Sequence, residues 1–156
     1  MYQLELDSLA ETENFALRFV NWILPVVKSQ GLSIALEGEL GSGKTTFVAA
    51  LAKVLKSKDA VSSPTYILQQ EYRGNDEIYI QHWDLYRLPK DAVPEELYET
   101  VKSKEIRLIE WASRSNELYK KLDMEIIFSI VSEGSRKCRF SFMNSKIENL
   151  FRSWPG

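Results

Sequence analysis

Leu32-Ser33-Ile34-Ala35-Leu36-Glu37-Gly38-Glu39-Leu40-Gly41-Ser42-Gly43-Lys44-Thr45-Thr46-Phe47 is the stretch on which the fold turns. It opens, after a break at Gly31, with the apolar run Leu32 to Leu36, which has the length and composition of a buried strand. It closes on Phe47, Val48, Leu51, Ala52, Val54 and Leu55, whose spacing predicts a helix. Between the two, Gly38-x-x-x-x-Gly43-Lys44-Thr45 fits every fixed position of a phosphate-binding loop. The glycines let the backbone turn tightly enough for successive N–H groups to converge on phosphate oxygens, and the helix start adds its positive dipole end. Gly41, Ser42, Gly43, Lys44, Thr45 and Thr46 are thus the expected nucleotide-binding residues. Lys44 is expected to reach the β- and γ-phosphates, and the Thr45 hydroxyl to ligate magnesium.

Outward from this loop, Ser8 and Glu11 have the spacing of a capping box. Leu9, Ala16, Phe19, Val20 and Ile23 continue it as an amphipathic helix that Pro25 should kink or end. Downstream, Val61 to Thr65 reads as a loop around Pro64. Tyr66 to Tyr72 and Glu77 to Trp83 then read as an antiparallel hairpin joined by Arg73-Gly74-Asn75-Asp76. A short helix is expected from Pro94 to Val101, a strand over Ile106 to Ile109, and a helix from about Arg114 to Leu122. Strands Glu125 to Val131 and Arg136 to Phe142 flank the turn Glu133-Gly134-Ser135, and a last helix carries Ile147, Leu150 and Phe151. This alternation predicts a single three-layer α/β domain over residues 1–156, of the P-loop NTPase type, with a mixed, mostly parallel sheet.

The bulk composition agrees with one folded domain. The chain has 156 residues, 44% hydrophobic and 27% charged, which excludes a disordered chain. A net charge of −2 gives no overall attraction to nucleic acid or anionic membrane. The stretch from Gly134 to Gly156 departs from that balance, with Arg136, Lys137, Arg139, Lys146 and Arg152 against Glu148. It reads either as a solvated face or as a docking surface for an acidic partner or RNA. Cys138 is the single cysteine, so no intrachain disulfide forms, and a reduced thiol fits a cytoplasmic protein. No apolar run approaches the length of a membrane span, and Met1 to Asp7 lacks the features of a secretion signal.

A magnesium nucleotide needs further protein oxygens, and two acids stand at predicted strand ends. Asp84 ends the second hairpin strand and Glu110 ends the run Ile106 to Ile109. An apolar strand ending in a carboxylate puts charge beside the phosphates, where strands meet the loop. Glu110 is favoured for the metal shell, while Asp84 orients water or a metal-bound water; the two roles are exchangeable on this reading. Thr65, in the proline loop, is either structural or a switch residue that senses the γ-phosphate.

Taken together, Gly38 to Phe47, Ser63-Pro64-Thr65-Tyr66, His82-Trp83-Asp84-Leu85-Tyr86-Arg87 and Glu110-Trp111 resemble the TsaE (YjeE) family, in order and spacing. These are small bacterial ATPases needed to make threonylcarbamoyladenosine in transfer RNA. Glu39 and Ser42 stand where that family commonly has Asp and Ala, both at variable loop positions. The resemblance implies binding of ATP and Mg2+ and weak hydrolysis by the isolated chain. It also implies docking on the TsaD and TsaB complex, with transfer RNA met through that complex. On this basis Thr45 and Glu110 serve the metal, Lys44 and Asp84 serve phosphates and water, and Thr65 acts as the switch. His82 either holds the hairpin end or acts as a base. Trp111 shields the site or fills the core, and Tyr86 and Arg87 tie the loop to the switch or face the partner. Glu11 and Arg136 are candidates to border the base, and Trp22 and Trp83 to pack.

Three rival readings use the same loop. A small kinase would carry a lid with several arginines, and Arg107 and Arg114 stand isolated. A GTPase would carry Asn-Lys-x-Asp, which does not occur. A scaffold locked by nucleotide without turnover shares every residue named so far.

Overall fold

A computed structural model describes residues 2–90 and 92–154. The ends of the expected 1–156 domain, including Gly156 of the basic stretch, lie outside the described residues. The strands are β1 (Tyr2–Leu6), β2 (Leu32–Glu37), β3 (Gln69–Arg73), β4 (Tyr79–Asp84), β5 (Glu105–Glu110), β6 (Met124–Ile130) and β7 (Arg136–Phe142). The helices are α1 (Leu9–Gln30), α2 (Lys44–Val54), α3 (Asn116–Tyr119) and α4 (Ser145–Phe151), with 3-10 turns at Asn75–Glu77, Glu95–Tyr98 and Ala112–Arg114. All seven strands form one sheet in the order β1-β7-β6-β2-β5-β4-β3. The sheet is mixed as expected: β6, β2, β5 and β4 run parallel at its centre, and antiparallel pairs close both flanks.

Alternation along the central strands sorts side chains into two layers of core. Leu32, Ile34 and Leu36 of β2 and Ile106 and Leu108 of β5 join the larger cluster, with Phe15, Phe19 and Val27 of α1 and Phe47, Val48 and Leu51 of α2. Ala35, Trp83 and Ile109 point to the opposite face, where Leu97, Ala112, Leu118 and Leu122 cover them. Short turns and α3 make up this second cover, so the third layer is thinner than the helical one. Trp22 and Trp83 both pack, as the sequence suggested.

The α1 helix begins as its capping sequence predicts. Ser8 accepts from the Glu11 N–H at 3.1 Å, and the Glu11 carboxylate accepts from the N–H of Asp7. Pro25, however, does not end it. Asn21, whose carbonyl loses its ladder partner, and Pro25 itself both lie on the exposed face. Phe19, Val20, Ile23 and Val27 stay buried on the other side, so packing carries the helix through to Gln30. At Gly31 the chain turns with φ 80°; a Cβ there would lie 2.2 Å from the Lys102 carbonyl oxygen.

Other expectations shift at their edges. The first hairpin strand starts at Gln69, not Tyr66, because the Pro64 carbonyl accepts from the N–H groups of Ile67 and Leu68 and curls the segment into a turn. The second starts at Tyr79, after the 3-10 turn Asn75–Glu77. The helices expected at 94–101 and 114–122 contract to single turns, at Glu95–Tyr98 and Asn116–Tyr119. Strand β1 was not anticipated. No described helix is long and apolar enough to cross a membrane.

Cys138 lies on β7, fully buried, and burial pushes its thiol up to about 12. It should therefore resist a disulfide reagent such as DTNB in the native protein and react only as the protein unfolds. Labelling of the folded protein at the rate of a free thiol would contradict this packing.

Candidate active site

The loop from Gly38 to Gly43 leaves β2 at its carboxyl end and delivers the chain into α2. Gly38 has φ 139°, and a Cβ there would sit 2.4 Å from the Phe128 carbonyl oxygen and 2.6 Å from Ser42 Oγ. Any side chain would push the loop off β6. Lys44 opens α2 and is buried, its ammonium donating to the carbonyls of Gly38 and, at 3.1 Å, Glu39. The same ammonium lies 5.0 Å from the centre of the Trp111 ring. Burial draws the Lys44 ammonium below the usual lysine range, and the charges of Glu110, Asp84, Glu37 and Glu39 oppose that shift.

Sheet register brings the acids to this loop. Leu36 of β2 pairs with Glu110 of β5, and Glu110 pairs with Asp84 of β4, so both carboxylates stand beside the loop across adjacent parallel strands. Both are nearly fully buried. Asp84 is held twice: Oδ1 accepts from the Tyr86 N–H at 2.8 Å, and Oδ2 from the Thr65 hydroxyl at 2.7 Å. Ser63 Oγ lies 2.6 Å from that same Thr65 oxygen. The proline loop is thus tied directly to one of the two acids.

Glu110 is held differently. Its Oε1 lies 3.4 Å from His82 Nε2, out of line for a hydrogen bond, and neither atom has another partner among the described residues. Ser42 Oγ is likewise buried without one. A buried carboxylate with an uncommitted oxygen, lining one cavity with the Thr45 hydroxyl and Asp84, suits a hard divalent cation. No group of three or more His, Cys, Asp or Glu among the described residues could hold a metal alone. Magnesium needs none, since it takes few protein ligands and fills its shell with water and phosphate oxygens.

The cavity has a volume of about 380 Å³. Gly41 to Thr46, Thr65, Asp84 and Glu110 line one side of it. Its far wall comes from Leu6, Ser8, Leu9 and Thr12 near one end of the chain and from Glu133, Gly134 and Arg136 near the other. Arg136 reaches over the loop to the Gly41 carbonyl at 3.3 Å and also donates to the carbonyls of the 132–135 turn. Glu11 is turned onto Asp7, so Ser8 and Thr12, four residues apart on one face of α1, line the cavity in its place. Their spacing from the capping box was the available signal for them.

The remaining candidates sit around this centre. Tyr86 packs on Trp111 with ring centres 5.0 Å apart, and Trp111 both lies against the Lys44 ammonium and packs on the second core cluster, outside the cavity lining. Arg87 stacks on the exposed Tyr66 ring at 4.0 Å and stays outside the cavity. Within the basic stretch Arg136 faces the loop and Lys137 lies 3.7 Å from Glu5 at the surface, so two of its charges have partners within the chain. Sequence reading missed Tyr72, whose hydroxyl lies 3.2 Å from His82 Nδ1, and the buried Glu37, whose carboxylate accepts from the Ser113 N–H and hydroxyl.

The profile of the family described as threonylcarbamoyl adenosine biosynthesis protein TsaE matches residues 6–138. The chain belongs to the TsaE family. A TsaE relative from Aquifex aeolicus, named a tRNA threonylcarbamoyladenosine biosynthesis protein, is 37% identical over 135 residues, covering 85% of this chain and 93% of that protein. One of the same name from Bacillus subtilis is 30% identical over 118 residues, covering 75% and 73%. The crystal structure of Bacillus subtilis YdiB superposes with a TM-score of 0.70 at 23% identity, over 98% of this chain and 93% of that one, a likeness of fold. The TsaE match spans the phosphate loop, Thr65, Asp84, Glu110 and Arg136, so every wall of the cavity falls within it.

Proposed function

We propose that this TsaE protein is a magnesium-dependent ATP-binding protein and weak ATPase. On this reading it supports turnover of a TsaD–TsaB complex in threonylcarbamoyladenosine modification of transfer RNA, in the cytoplasm. The observation that carries the reading is the convergence of Lys44, Thr45, Asp84 and Glu110 on one cavity at the carboxyl ends of the parallel strands. Lys44 and the loop N–H groups bind the phosphates, and Thr45 and Glu110 hold the metal. Magnesium held by these residues would offset the charge of the phosphates and the negative charge that builds on the leaving oxygen. Asp84 orients the attacking water and, through Thr65, reports the state of the proline loop. Arg136 and the Ser8–Thr12 face of α1 border the base.

Weak turnover follows from the same layout. Arg87 is stacked on Tyr66 outside the cavity, and Arg136 is committed to backbone carbonyls over the loop. Neither is free to stabilise a transferring phosphate, a task that a partner's cation can perform with a gain of roughly 10³ to 10⁵.

Glu110→Gln and Asp84→Asn keep size and fold while removing charge. Each is expected to lower phosphate release by about 10²-fold or more and to abolish support of threonylcarbamoyladenosine formation by purified TsaD and TsaB. Normal modification by both variants would show that hydrolysis is not the function. Stoichiometric transfer of the γ-phosphate to an acceptor would favour a kinase.

A further inference from the structure

His82 is fully buried on β4, two residues before Asp84, on the same face of the sheet as Asp84 and Glu110. It is the only histidine in the chain. One ring nitrogen, Nε2, faces Glu110 Oε1 at 3.4 Å; the other, Nδ1, faces the Tyr72 hydroxyl at 3.2 Å. That hydroxyl also lies 3.1 Å from the Ser62 carbonyl oxygen and 2.5 Å from Gln70 Oε1. Burial raises the Tyr72 phenol above its usual value, so it keeps its single proton through the neutral range.

One proton cannot serve three acceptors. If Tyr72 donates to Ser62 or Gln70, its oxygen is left to accept, and a neutral His82 must carry its hydrogen on Nδ1. Nε2 is then bare, and two acceptors face one another across 3.4 Å. If Tyr72 donates to Nδ1 instead, the imidazole hydrogen sits on Nε2, on the ring edge nearest Glu110 Oε1, and a small turn of the ring or the carboxylate brings the two into line. The tautomer of His82 thus depends on where Tyr72 donates. Ser62, which competes for that donation, lies three residues before Thr65 in the proline loop.

We propose that His82 is the positioning residue of Glu110: its Nε2–H fixes the Glu110 carboxylate for the metal, and Tyr72 selects that tautomer in competition with the Ser62 carbonyl and Gln70 Oε1. The proposal rests on the reading of Glu110 as a metal residue. It makes the proline loop felt at both acids, directly at Asp84 through Thr65 and indirectly at Glu110 through Tyr72 and His82. Groups that hydrogen-bond a metal ligand commonly change metal affinity by roughly 10- to 100-fold when removed.

Two substitutions separate the halves of the ring. His82→Gln retains a donor on the Glu110 side and gives up the Tyr72 side; His82→Asn does the reverse. The measurement is the Mg2+ concentration giving half-maximal binding of a fluorescent ATP analogue, with metal-free binding of the analogue as reference. His82→Asn is expected to raise that concentration about tenfold or more while metal-free binding is unchanged, and His82→Gln to stay near wild type. Equal metal requirements in wild type and both variants, or equal losses in the two variants, would overturn the proposal. Wild-type binding indifferent to Mg2+ would instead remove the reading of Glu110 on which it stands, and the proposal with it. Because His82 is buried, a second measurement uses the unaltered chain. In 15N-labelled, tag-free protein the lone imidazole gives one pair of ring nitrogen signals, and at neutral pH the Mg2+–nucleotide complex is expected to carry a proton on Nε2. A bare Nε2 in that complex overturns the proposal whatever the variants do.

Discussion

Lys44→Ala is expected to lose ATP hydrolysis by about 10²-fold or more and to weaken nucleotide binding measurably, with the fold intact. The ammonium lies in a pocket that also holds Glu110 and Asp84, both buried. With it removed, two carboxylates face the incoming phosphates without the cation that lay among them, and like charges at short range in a poorly hydrated site repel strongly. Lys44 also ties the carbonyls of Gly38 and Glu39 together, so the substitution loosens the loop that presents the N–H groups. Calorimetric titration with ATP and Mg2+, together with phosphate release, reads the effect. A thermal melt close to wild type confirms that the fold persists. Near-normal affinity in Lys44→Ala would mean that phosphates are bound elsewhere.

Phe47→Ala acts three residues further on and by a different route. The Phe47 ring is fully buried, stacked on Phe15 at 5.3 Å and close to Phe128 at 5.4 Å and Phe19 at 5.8 Å. It therefore joins α2 to α1 and to β6. Truncation removes the ring and leaves a cavity that helices on one side and a sheet on the other cannot fully close. The expected cost is about 3–5 kcal/mol. Against a total stability on the order of 5–15 kcal/mol, that is a large fraction. In urea the unfolding midpoint should fall with little change in slope, and the Tm should drop on the order of 10 °C. An unchanged midpoint would mean that the four rings do not pack as described. The two variants together separate phosphate binding from the packing of the helix that carries it.

Much of this was legible because it is local. The phosphate loop, the strand before it and the helix after it are contiguous, and their patterns agree at every level. Asp84 and Glu110 could be singled out because apolar strands end at them, and parallel pairing then places such ends side by side. The missing parts are non-local. Tyr2 to Leu6 is a five-residue edge strand whose partner, β7, lies some 130 residues away, and nothing near it announces the pairing. The far wall of the cavity has the same origin, since Ser8, Thr12 and Gly134 meet only once that pairing exists. Pro25 misled because its local effect was weighed without the buried face of α1, which holds the helix through it. Tyr66 and Ile67 misled in the opposite sense. They are apolar and strand-like in composition, yet both are exposed in a turn. His82 was visible as a residue but its role was not, because Tyr72 and Glu110 reach it across two strand pairings.

The pairing of β1 with β7 also bears on how the molecule is made. A ribosome delivers the phosphate loop, Thr65, Asp84 and Glu110 before β6 or β7 has emerged. Until β7 has been made, β1 lacks the strand it pairs with and the far wall of the cavity is missing. The wall that closes the cleft comes from both directions, Leu6 and Thr12 from before the phosphate loop and Gly134 and Arg136 from after Glu110. On the proposed reading, a nucleotide lying across that seam would act as a clasp on newly made protein, favouring the finished molecule over its unclosed precursor by its binding free energy.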